Sequence, residues 1–572
     1  MKRIFLIISF ILVACAAVAY NFFFANLHSH TSYSDGVGTP KEAYEYAKNY
    51  LDVLAITDHA YYFESKMDGQ DKLLLTKMEA LKATEEEKFV ALWGFEWTGG
   101  VGHMNVYGTD EWMSRNNVDL FGLYRWIVEK QALAQFNHPT SSFGTFYDFE
   151  YDPVADEFIN LIEVGNGSWR GRTITDEMIT NFVAALNKGW HLGATANQDN
   201  HRANWGSAND TRTVILAKEL TYDSIMEALR NRRVYASEDK TVKLIFEANG
   251  YPMGSILQNV WDLNFKIKVE DDEKFEKISL ISQSGTLAEW LPNSEKFEIS
   301  YTHKVPDVFE WYFVYAVQKD GDRIISSPIW VHNANVYAVN TKVTAVGKNV
   351  ELFFDLVNFH FEPEDVFVTA KIADREESFQ VFMNGKEKKS KKISFESLAA
   401  GFHKLELWIN GKIAFTHEVK VTAFTVILDQ SHENVYPEIE ELLKTHLKDI
   451  ADVKLNSRYF RKIPTDADLI VIPLPKSGAF KEAAELNSFE IESLKQYLKT
   501  GGKVLIVALK DSIFEESYQK LVKTFEVQID LKQILENVST ECEDLVLINK
   551  SGGFVFLNNF EKLVEILKGM VE

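Results

Sequence analysis

The chain has 572 residues, too long for one domain, and we expect about three or four domains. Its hydrophobic content of 46%, with 13% aromatic residues, is typical of a well-packed globular protein and excludes a disordered chain. The formal net charge of −22 argues against nucleic acid as a polymer, or an anionic membrane, as a general partner. Small anionic substrates remain possible, because bound cations reverse the local field at a site.

The N-terminus predicts a bacterial secretory signal peptide over residues 1–19. Two basic residues precede an apolar run, Ile4–Ala14, which is too short to span a membrane stably. Ala17-Val18-Ala19 fits a small-x-small cleavage site and favours this interpretation. An alternative stays open, since Leu12-Val13-Ala14-Cys15 resembles a lipobox in which Cys15 carries a lipid anchor. Both predict an exported protein, either periplasmic or extracellular, or a membrane-anchored lipoprotein.

Residues 20–238 alternate short apolar runs with helical patterns. Two helices are predicted over Pro40–Tyr50, with Thr39 as N-cap, and over Asp176–Lys188. Strand–helix alternation predicts a parallel sheet or barrel. The predicted strands are Phe22–Leu27, Leu51–Ile56, Phe89–Trp93, Ala132–Phe136, Ile159–Glu163 and Leu192–Thr195.

Three further regions follow. Residues 239–334 alternate apolar and polar positions and contain a hairpin signal, Asp320-Gly321, which predicts a β-sandwich-like module. Residues 335–422 repeat this pattern, with turns at Asn384-Gly385 and Asn410-Gly411, and predict a second such module.

Residues 423–572 return to an α/β pattern, with parallel strands predicted at Phe424–Leu428, Leu469–Pro473 and Lys503–Val507. This region resembles the glutamine-amidotransferase-like, flavodoxin-like fold. It has no Cys or Ser in a Gly-flanked strand-to-helix elbow, so the nucleophile of that family is absent and we expect a non-catalytic domain.

Nine potential metal ligands lie within the first 201 residues, at or just beyond the ends of the predicted strands, where α/β barrels place their chemistry. Imidazole and carboxylate without thiolate suit Zn, Mn or Fe. The chain has only two cysteines, Cys15 and Cys542, which exclude a Cys-based zinc site. So large a set predicts more than one ion and a hydrolytic reaction. The nine residues are His28, His30, Asp35, His59, Glu96, His103, His138, Asp199 and His201.

The contexts of these residues resemble the PHP (polymerase and histidinol phosphatase) superfamily of metal-dependent phosphoesterases over about 220 residues. One departure is Gln198, where that superfamily more often has a small residue. The matching segments are Leu27–Gly36, Ala55–His59, Gly94–Trp97, Gly102–Asn105, Asn137–Pro139 and Asn197–His201. The resemblance implies a distorted (β/α)7 barrel as the first part of a multidomain α/β plus β protein.

The same resemblance implies two or three divalent ions and a metal-bridging hydroxide as nucleophile. The first ion would be held by His28, His30, Glu96 and Asp199. The second would be held by Glu96, His103 and His138, with Glu96 as the bridge. The third would be held by Asp35, His59 and His201. Export and the following β-module also resemble the carbaryl-hydrolase-like metallohydrolases, on the segment Asp320–Trp330.

Other candidates are polar or aromatic residues near the predicted strand ends. Asp58 could orient a ligand imidazole, or could cap a strand end. Arg170, Arg172 and Arg202 could clamp an anionic ester substrate, or could be surface arginines in ion pairs. Further residues have either a pocket role or an ordinary packing role: Trp97, Trp169, Trp205 and Glu163. The pattern around His191 indicates an ordinary histidine at the end of a helix or the start of a strand.

Three functions therefore compete. The first is an exported phosphoesterase acting on phosphomonoesters or phosphodiesters. The second is a carbamate or carboxylic ester hydrolase, which an apolar, Trp-lined pocket would favour. The third is a surface binding protein built on an inactive barrel, which the complete ligand set argues against.

Overall fold

The computed structural model describes residues 20–306, 308–422, 424–448, 451–460, 463, 467–476, 481–509, 512–513, 516–523, 531–532, 544–549, 552–557 and 561–571. The predicted signal peptide, Cys15 and Cys542 lie outside these residues, so export stays a prediction. The described helices are all too short or too polar to cross a membrane. The chain forms four units in sequence: a barrel-like unit, two β-modules and an α/β unit.

The barrel-like unit contains nine strands and five regular helices. Short 3-10 turns at Ala60–Tyr62 and Ala155–Glu157, and a left-handed turn at Phe146–Phe149, complete it. The strands are β1 (Asn21–Asn26), β2 (Val53–Ile56), β3 (Val90–Gly99), β4 (Gly102–Tyr107), β5 (Leu133–Asn137), β6 (Ile159–Asn166), β7 (Gly193–Asn197), β8 (Arg212–Ala217) and β9 (Val234–Ser237). The helices are α1 (Pro40–Ala47), α2 (Lys72–Ala83), α3 (Leu120–Lys130), α4 (Asp176–Asn187) and α5 (Tyr222–Arg230).

Seven strands, β1 to β7, form a ring. Parallel pairs join β1 to β2, β2 to β3, β5 to β6 and β6 to β7. The ring closes through a parallel bridge between Ser29 and Asn200, where the His30 amide donates to the Asn200 carbonyl at 2.8 Å. One strand departs from the predicted alternation: β4 is antiparallel to both β3 and β5 and joins β3 through a tight hairpin with no intervening helix.

Local sequence explains where α1 begins. Thr39 accepts a hydrogen bond from the Glu42 amide, and the Glu42 carboxylate accepts one from the Thr39 amide, which completes a capping box. Pro40 occupies the first turn, where its missing N–H costs nothing. The helix ends at Ala47, three residues before the predicted Tyr50.

The first β-module is one folded sheet rather than two separate ones. Its long strand β13 pairs along its first half with β10 and β15, and along its second half with β14 and β16, with register shifts between Glu270 and Phe275–Lys277. The strands are β10 (Lys243–Ala248), β11 (Tyr251–Pro252), β12 (Ile256–Gln258), β13 (Asp262–Ser282), β14 (Gly285–Trp290), β15 (Ser294–Lys304), β16 (Glu310–Gln318), β17 (Arg323–Ser326) and β18 (Ile329–His332).

The second β-module is a sandwich of two sheets, with strand orders β19-β20-β23 and β22-β21-β24-β25. Asn410, in a left-handed conformation, and Gly411 form the turn of the β24–β25 hairpin, as predicted. The strands are β19 (Val336–Val346), β20 (Asn349–Asn358), β21 (Glu364–Ile372), β22 (Arg375–Met383), β23 (Lys388–Phe395), β24 (Gly401–Ile409) and β25 (Lys412–Val421).

The last unit has a six-stranded sheet in the order β27-β26-β28-β29-β31-β30. All neighbours are parallel except β30 and β31. The first four strands of the unit lie in the order 2-1-3-4. The strands are β26 (Phe424–Asp429), β27 (Ala451–Asn456), β28 (Leu469–Pro473), β29 (Lys503–Leu509), β30 (Leu545–Asn549) and β31 (Gly552–Leu557). The helices are α6 (Pro437–His446), α7 (Lys481–Ala484), α8 (Ser488–Lys499), α9 (Glu516–Val522) and α10 (Glu561–Val571).

The barrel-like unit and the first β-module share backbone pairing and a hydrophobic core. Strand β9 pairs with β17, and Trp311, Phe313 and Trp330 of the module pack in the core that fills the barrel-like unit. The second module contacts the barrel-like unit through the ion pairs Lys386–Glu157 and Lys388–Glu150. The ring is therefore supported on one side by both modules.

Candidate metal centre

All nine predicted ligands converge at one end of the ring. His28 and His30 follow β1, His59 follows β2, His138 follows β5, and Asp199 and His201 follow β7. Glu96 lies on β3, and His103 lies near the start of the reversed strand β4, opposite Thr98 of β3. Because β4 runs antiparallel, its beginning meets the ends of its parallel neighbours, which brings His103 to the same edge as the other ligands.

Glu96 lies at the centre of the site and is only 1% exposed. Its Oε1 is 3.3 Å from His103 Nδ1, 3.4 Å from His138 Nε2 and 3.5 Å from His28 Nε2. Its Oε2 is 2.7 Å from His59 Nδ1 and 3.6 Å from His30 Nε2. One carboxylate therefore faces five imidazoles, the position that a bridging ligand requires.

The ligand atoms form four overlapping groups, each with all its atoms within 4.8 Å of one another. One group equals the set expected for a second ion, and another contains the set expected for a third ion with His30 added. The set expected for a first ion is divided between the two remaining groups. The four groups are Glu96–His103–His138, His30–Asp35–His59–His201, His28–His30–Glu96 and His28–His138–Asp199.

Two ligands are held in unusual backbone conformations. His138 has a φ of 26° and Asp199 a φ of 48°, in the left-handed region that residues other than glycine rarely occupy. Such conformations cost about 1–3 kcal/mol each and persist where the surrounding structure enforces them. The loops after β5 and β7 are therefore bent so that both side chains point into the site.

The electrostatics of the site keep its carboxylates ionised. Burial alone would raise the pKa of Glu96, but the imidazoles of His28 and His59 and hydrogen bonds from His103 and His138 hold it well below its usual range. Burial likewise opposes ionisation of Asp35, and hydrogen bonds from His201 and His59 lower its pKa. Metal ligation needs deprotonated carboxylates, which these environments supply.

The histidines respond in the opposite direction. Burial would lower the pKa of His59, but the Glu96 charge and a hydrogen bond with Asp35 raise it to about 10. For His30, burial prevails and lowers the pKa. A site made only of protein groups therefore mixes charged and neutral imidazoles around ionised carboxylates.

Several buried polar atoms in this site lack a well-formed hydrogen bond within the described chain: Glu96 Oε2, Asp199 Oδ1 and His138 Nδ1. Buried polar atoms are almost always satisfied, so each such atom calls for an explanation. In addition, the Nε2 atoms of His28 and His30 lie 3.2 Å apart. Carboxylate oxygens and imidazole nitrogens that face one another in this way fit divalent cations as the missing partners.

Glu163 is the main supporting residue that the sequence indicated only in general terms. Fully buried on β6, it lies 3.0 Å from His28 Nδ1 through Oε1, and its Oε2 accepts from the His138 amide at 2.7 Å. The side chains of Asn166 and Asn197 also donate to it. A carboxylate bonded to the far nitrogen of a ligand histidine fixes its tautomer and orientation.

Asp58 supports His30 and not His59, its neighbour in the sequence. It accepts hydrogen bonds from the Thr31 amide and hydroxyl at 2.7 and 2.6 Å and from the Ser34 hydroxyl at 2.5 Å. The Ser34 oxygen lies 3.4 Å from His30 Nδ1. Asp58 therefore holds the loop after β1 and reaches His30 through Ser34, while His59 Nδ1 lies 2.7 Å from the Thr98 hydroxyl.

The arginine and tryptophan candidates lie on the surface or in the core of the protein. Arg172 donates to the Gly321 carbonyl at 2.9 Å and so contacts the first β-module. Arg170 and Arg202 are exposed. Trp97 and Trp205 are 2% and 1% exposed, so they belong to the core rather than to a pocket mouth, and only Trp169, at 54%, is open to solvent.

Gln198 supports the loop that follows Asp199. Its side chain donates to the Asn209 carbonyl at 2.9 Å, and its Oε1 accepts from the Gly206 amide at 2.9 Å. Gln198, the residue that departs from the superfamily pattern, therefore supports the loop behind the ligands and does not line the site.

Three residues at the rim of the site were missed from the sequence. The Tyr61 ring stacks on His59, with 5.4 Å between centroids, and the Arg115 guanidinium lies 4.2 Å above the Tyr61 ring. Phe143, which is 49% exposed, lies 4.4 Å from the ring of His138. Tyr61 closely follows His59 and Phe143 closely follows His138 along the chain, but Arg115 arrives from the distant segment between β4 and α3 and has no sequence signal.

No model of a known protein family matches the chain. A protein of uncharacterised function from Chlamydia pneumoniae is 22% identical over 327 residues, covering 47% of this chain and 52% of the relative. A similar protein from Chlamydia muridarum is 21% identical over 323 residues, with the same coverage of 47% and 52%. The chain spans about half the length of the curated relatives it matches.

Among solved structures, the chain is similar to a two-domain protein from Bacteroides vulgatus described as containing a predicted PHP-like metal-dependent phosphoesterase. The two are 18% identical with a TM-score of 0.32, and the match covers 59% of this chain and 92% of that one. The function of this chain is therefore inferred from the residues of its own site.

Proposed function

We propose that the protein is an exported, metal-dependent phosphoesterase of the PHP type, acting on phosphomonoesters or phosphodiesters. The observation that carries the proposal is the convergence of nine His, Asp and Glu side chains at one end of the ring, with Glu96 facing five of the imidazoles. His28, His30, Glu96 and Asp199 would hold one ion, His103 and His138 would complete a second with Glu96, and Asp35, His59 and His201 would hold a third.

Divalent ions held by this set would polarise the ester and activate water for attack. The protein groups prepare the site for that chemistry. Glu163 fixes the tautomer of His28, Asp58 positions the His30 loop through Ser34, and the depressed pKa values of Glu96 and Asp35 keep both carboxylates charged. A metal-activated water would be the nucleophile, so the reaction needs no Ser or Cys nucleophile.

Arg115 supports a phosphate ester over a neutral ester. Its guanidinium is exposed and is held above Tyr61, which itself stacks on the ligand His59. A guanidinium presents two parallel N–H groups to phosphate oxygens and is the preferred side chain for that recognition. Arg170 and Arg202 remain secondary candidates, since both side chains are exposed and neither is brought to the ligands by a described contact.

The experiment measures initial hydrolysis rates of the mature protein loaded in turn with Mn, Zn or Fe. The substrates are p-nitrophenyl phosphate, bis(p-nitrophenyl) phosphate and a naphthyl methylcarbamate, with His28→Ala as the inactive control. We expect turnover of a phosphate ester that disappears in His28→Ala. No turnover of any substrate with any metal would refute the proposal and favour a binding protein.

A carbamate or carboxylic ester hydrolase of the carbaryl-hydrolase-like type is the second candidate. The observation that favours it is the aromatic rim, in which Phe143 covers His138 and Tyr61 covers His59. Such rings offer an apolar contact to an aryl leaving group. Turnover of the carbamate alone, reduced in Phe143→Ala, would establish this candidate in place of the first.

A further inference from the structure

A cluster of three carboxylates lies at the junction between the barrel-like unit and the first β-module. Asp239 follows β9, the last strand of the barrel-like unit, and Asp271 and Asp272 lie within the long strand β13 of the module. One carboxylate oxygen from each of these residues lies within 4.8 Å of the other two. The cluster contains none of the nine ligands of the candidate metal centre and is therefore a separate feature of the molecule.

An irregularity in β13 explains why both module carboxylates reach the same place. The register of β13 against β15 shifts between Glu270 and Phe275, and Asp271 and Asp272 lie within this interval. Consecutive residues of a regular strand point to opposite faces of the sheet. A bulge removes this alternation and redirects side chains, so that two neighbouring carboxylates can approach Asp239 together.

The Thr241 hydroxyl lies between two of the carboxylates. Its oxygen is 2.8 Å from Asp239 Oδ1 and 2.7 Å from Asp271 Oδ1. A hydroxyl has one proton, so it can donate to only one of these two oxygens at a time. The cluster therefore brings oxygen atoms together with fewer protons than its close contacts require.

The cluster also lacks a counter-ion from the protein. Lys240, next to Asp239 in the sequence, pairs instead with Asp210 at 2.9 Å. Within the part of the chain that the structure describes, Asp239, Asp271 and Asp272 form no ion pair with a lysine, arginine or histidine. Three like charges are thus held close together without a basic partner.

The surroundings of the cluster are negative as well. Asp322 lies in the turn between β16 and β17, and burial raises its pKa to about 7. Further carboxylates add to this shift, among them one from the cluster: Asp320, Glu238, Asp239 and Asp210. A cation bound beside these groups would relieve their mutual repulsion, whereas an anion would increase it.

A buried amide oxygen beside the cluster has no partner. Gln318, at the end of β16, is fully buried, and its Nε2 donates to Asp271 Oδ2 at 2.7 Å. This bond holds the side-chain amide against the cluster, but its Oε1 has no hydrogen bond in the described chain. Buried polar atoms are almost always satisfied, so this oxygen calls for a partner. Amide and carboxylate oxygens together are the ligands that Ca²⁺ prefers.

We propose that Asp239, Asp271, Asp272 and the amide oxygen of Gln318 bind one Ca²⁺ ion. The set contains only oxygen donors, which suit a hard cation, whereas the imidazoles of the candidate metal centre suit Zn, Mn or Fe. Ca²⁺ takes about six to eight oxygen ligands, and Asp272 is exposed, so water can complete the coordination.

The ion would tie the segment that leaves the barrel-like unit to the first β-module, because Asp239 lies on one side of the junction and the other ligands on the other side. The proposal is independent of the proposed esterase activity, because it uses none of that site's residues.

The test is isothermal titration of Ca²⁺ into the full chain, once after chelation and once after loading with Zn²⁺ and removal of the excess. We expect one saturable Ca²⁺ site that persists in the Zn²⁺-loaded protein, with a Kd of about 0.1–1 mM. Ca²⁺ should also raise the melting temperature, because it binds the folded chain. Mg²⁺ should bind more weakly, since it demands a regular octahedral geometry.

Two variants test the ligands. Asp272→Asn should weaken Ca²⁺ binding about tenfold or more, because it removes one of the charged ligands. Since Asp272 is exposed, this variant should melt as the wild type does in the absence of Ca²⁺. Gln318→Met should weaken binding about threefold, because it removes one neutral oxygen.

Asp262→Asn is the matched control, since Asp262 is an exposed acid at the beginning of the same strand, outside the cluster. It should bind Ca²⁺ as the wild type does. The proposal is overturned if no saturable Ca²⁺ site remains in the Zn²⁺-loaded protein, because the site would then belong to the metal centre. It is equally overturned if Asp272→Asn binds as the wild type does, if Asp262→Asn loses as much affinity, or if Mg²⁺ binds as tightly as Ca²⁺.

Discussion

At the scale of single residues, Glu163 connects more of the candidate metal centre than any residue outside the nine ligands. We expect Glu163→Gln to lower metal affinity or activity about 10–100-fold, because the amide can no longer accept from both the His28 ring and the His138 amide. Metal content by mass spectrometry, alongside initial rates, checks this. Glu129→Gln, an exposed acid on α3 of the same unit, is the control; equal losses in both variants would contradict the role of Glu163.

Arg115 carries the second prediction at this scale. If it clamps a phosphate group, Arg115→Ala should raise KM for p-nitrophenyl phosphate about tenfold or more, and Arg115→Lys should recover only part of the loss, because lysine cannot make the paired contact. Arg125→Ala on α3 is the matched exposed control. Steady-state kinetics decide the matter, and an unchanged KM in Arg115→Ala would remove Arg115 from substrate recognition.

Glu310 in the first β-module gives a prediction about pH and stability. It is 2% exposed, its Oε1 accepts from the Ser284 hydroxyl at 3.0 Å, and its Oε2 has no partner in the described chain. Burial raises its pKa to about 7. A carboxyl with a raised folded-state pKa stabilises the fold below its unfolded pKa, and this contribution is lost as the pH rises through about 7.

Glu310→Gln should therefore raise the melting temperature at pH 8 and have little effect at pH 4.5. The shift in pKa corresponds to up to about 3 kcal/mol at the higher pH. Melting curves of the wild type, of Glu310→Gln and of the exposed control Glu276→Gln at both pH values test this. A gain that is equal at the two pH values would show that the charge of Glu310 is not its cause.

At the scale of elements, the hairpin of β3 and β4 shows what the sequence could and could not predict. The ends of β1, β2, β5 and β7 follow from apolar runs that stop at polar residues, so the ligands there could be placed from the pattern alone. The reversal of β4 could not, because it depends on a two-residue connection, Gly100-Val101, that a strand–helix pattern does not reveal. His103 could be named as a candidate ligand from the sequence, but its position at this edge of the ring could not be predicted.

In the last unit, His432 joins the loop after β26 to helix α8. Its Nδ1 lies 2.9 Å from Asp429 Oδ2, and its Nε2 lies 3.2 Å from Glu490 Oε1, with all three side chains buried. Burial alone would lower its pKa, but hydrogen bonds with Asp429 and Glu490 raise it to about 9. The charged imidazole thus stabilises this unit fully below its unfolded pKa, and the contribution disappears as the pH rises through about 9.

We expect hydrogen exchange in β26 and α8 to accelerate between pH 7 and pH 10 beyond the intrinsic change. The stability at stake is up to about 3 kcal/mol. His432→Asn should show fast exchange at both pH values, and His446→Asn, at the exposed end of α6, should behave like the wild type. Protection in His432→Asn that equals that of the wild type at pH 7 would disprove the role of His432.

At the scale of the whole molecule, the boundary predicted at residue 238 does not separate independent folding units. Strand β9 pairs with β17, and the Glu238 carboxylate accepts from the Thr173, Ile174 and Arg323 amides on both sides of the boundary. We expect a chain that ends at 238 to aggregate, because it exposes the core that Trp311 and Trp330 cover. A chain that ends at 422 should keep its fold. Soluble yield and cooperative melting compare the two.

The pairing across residue 238 could not be predicted from the sequence, for a physical reason. The alternation of apolar and polar residues correctly predicted that strands begin after residue 240. This pattern reflects the local burial of each residue and does not identify the strand with which each strand pairs. Pairing between β9 and β17 joins residues almost ninety positions apart, as Ile324 and Ser237 do, and no local pattern carries that information. Arg115 was missed for the same reason, since its position depends on a contact between distant segments.

The position of Glu96 among five imidazoles has a consequence for how the centre fills. A cation that neutralises this carboxylate from one side changes the field at His28, His30, His59, His103 and His138 together. Occupancy of the ligand groups is therefore coupled, and an ion bound on one side of Glu96 lowers the affinity of the other side, because the two cations repel each other and share one carboxylate. In an environment where metal is scarce, the centre should therefore fill in successive steps that are spread over a wide range of metal concentration.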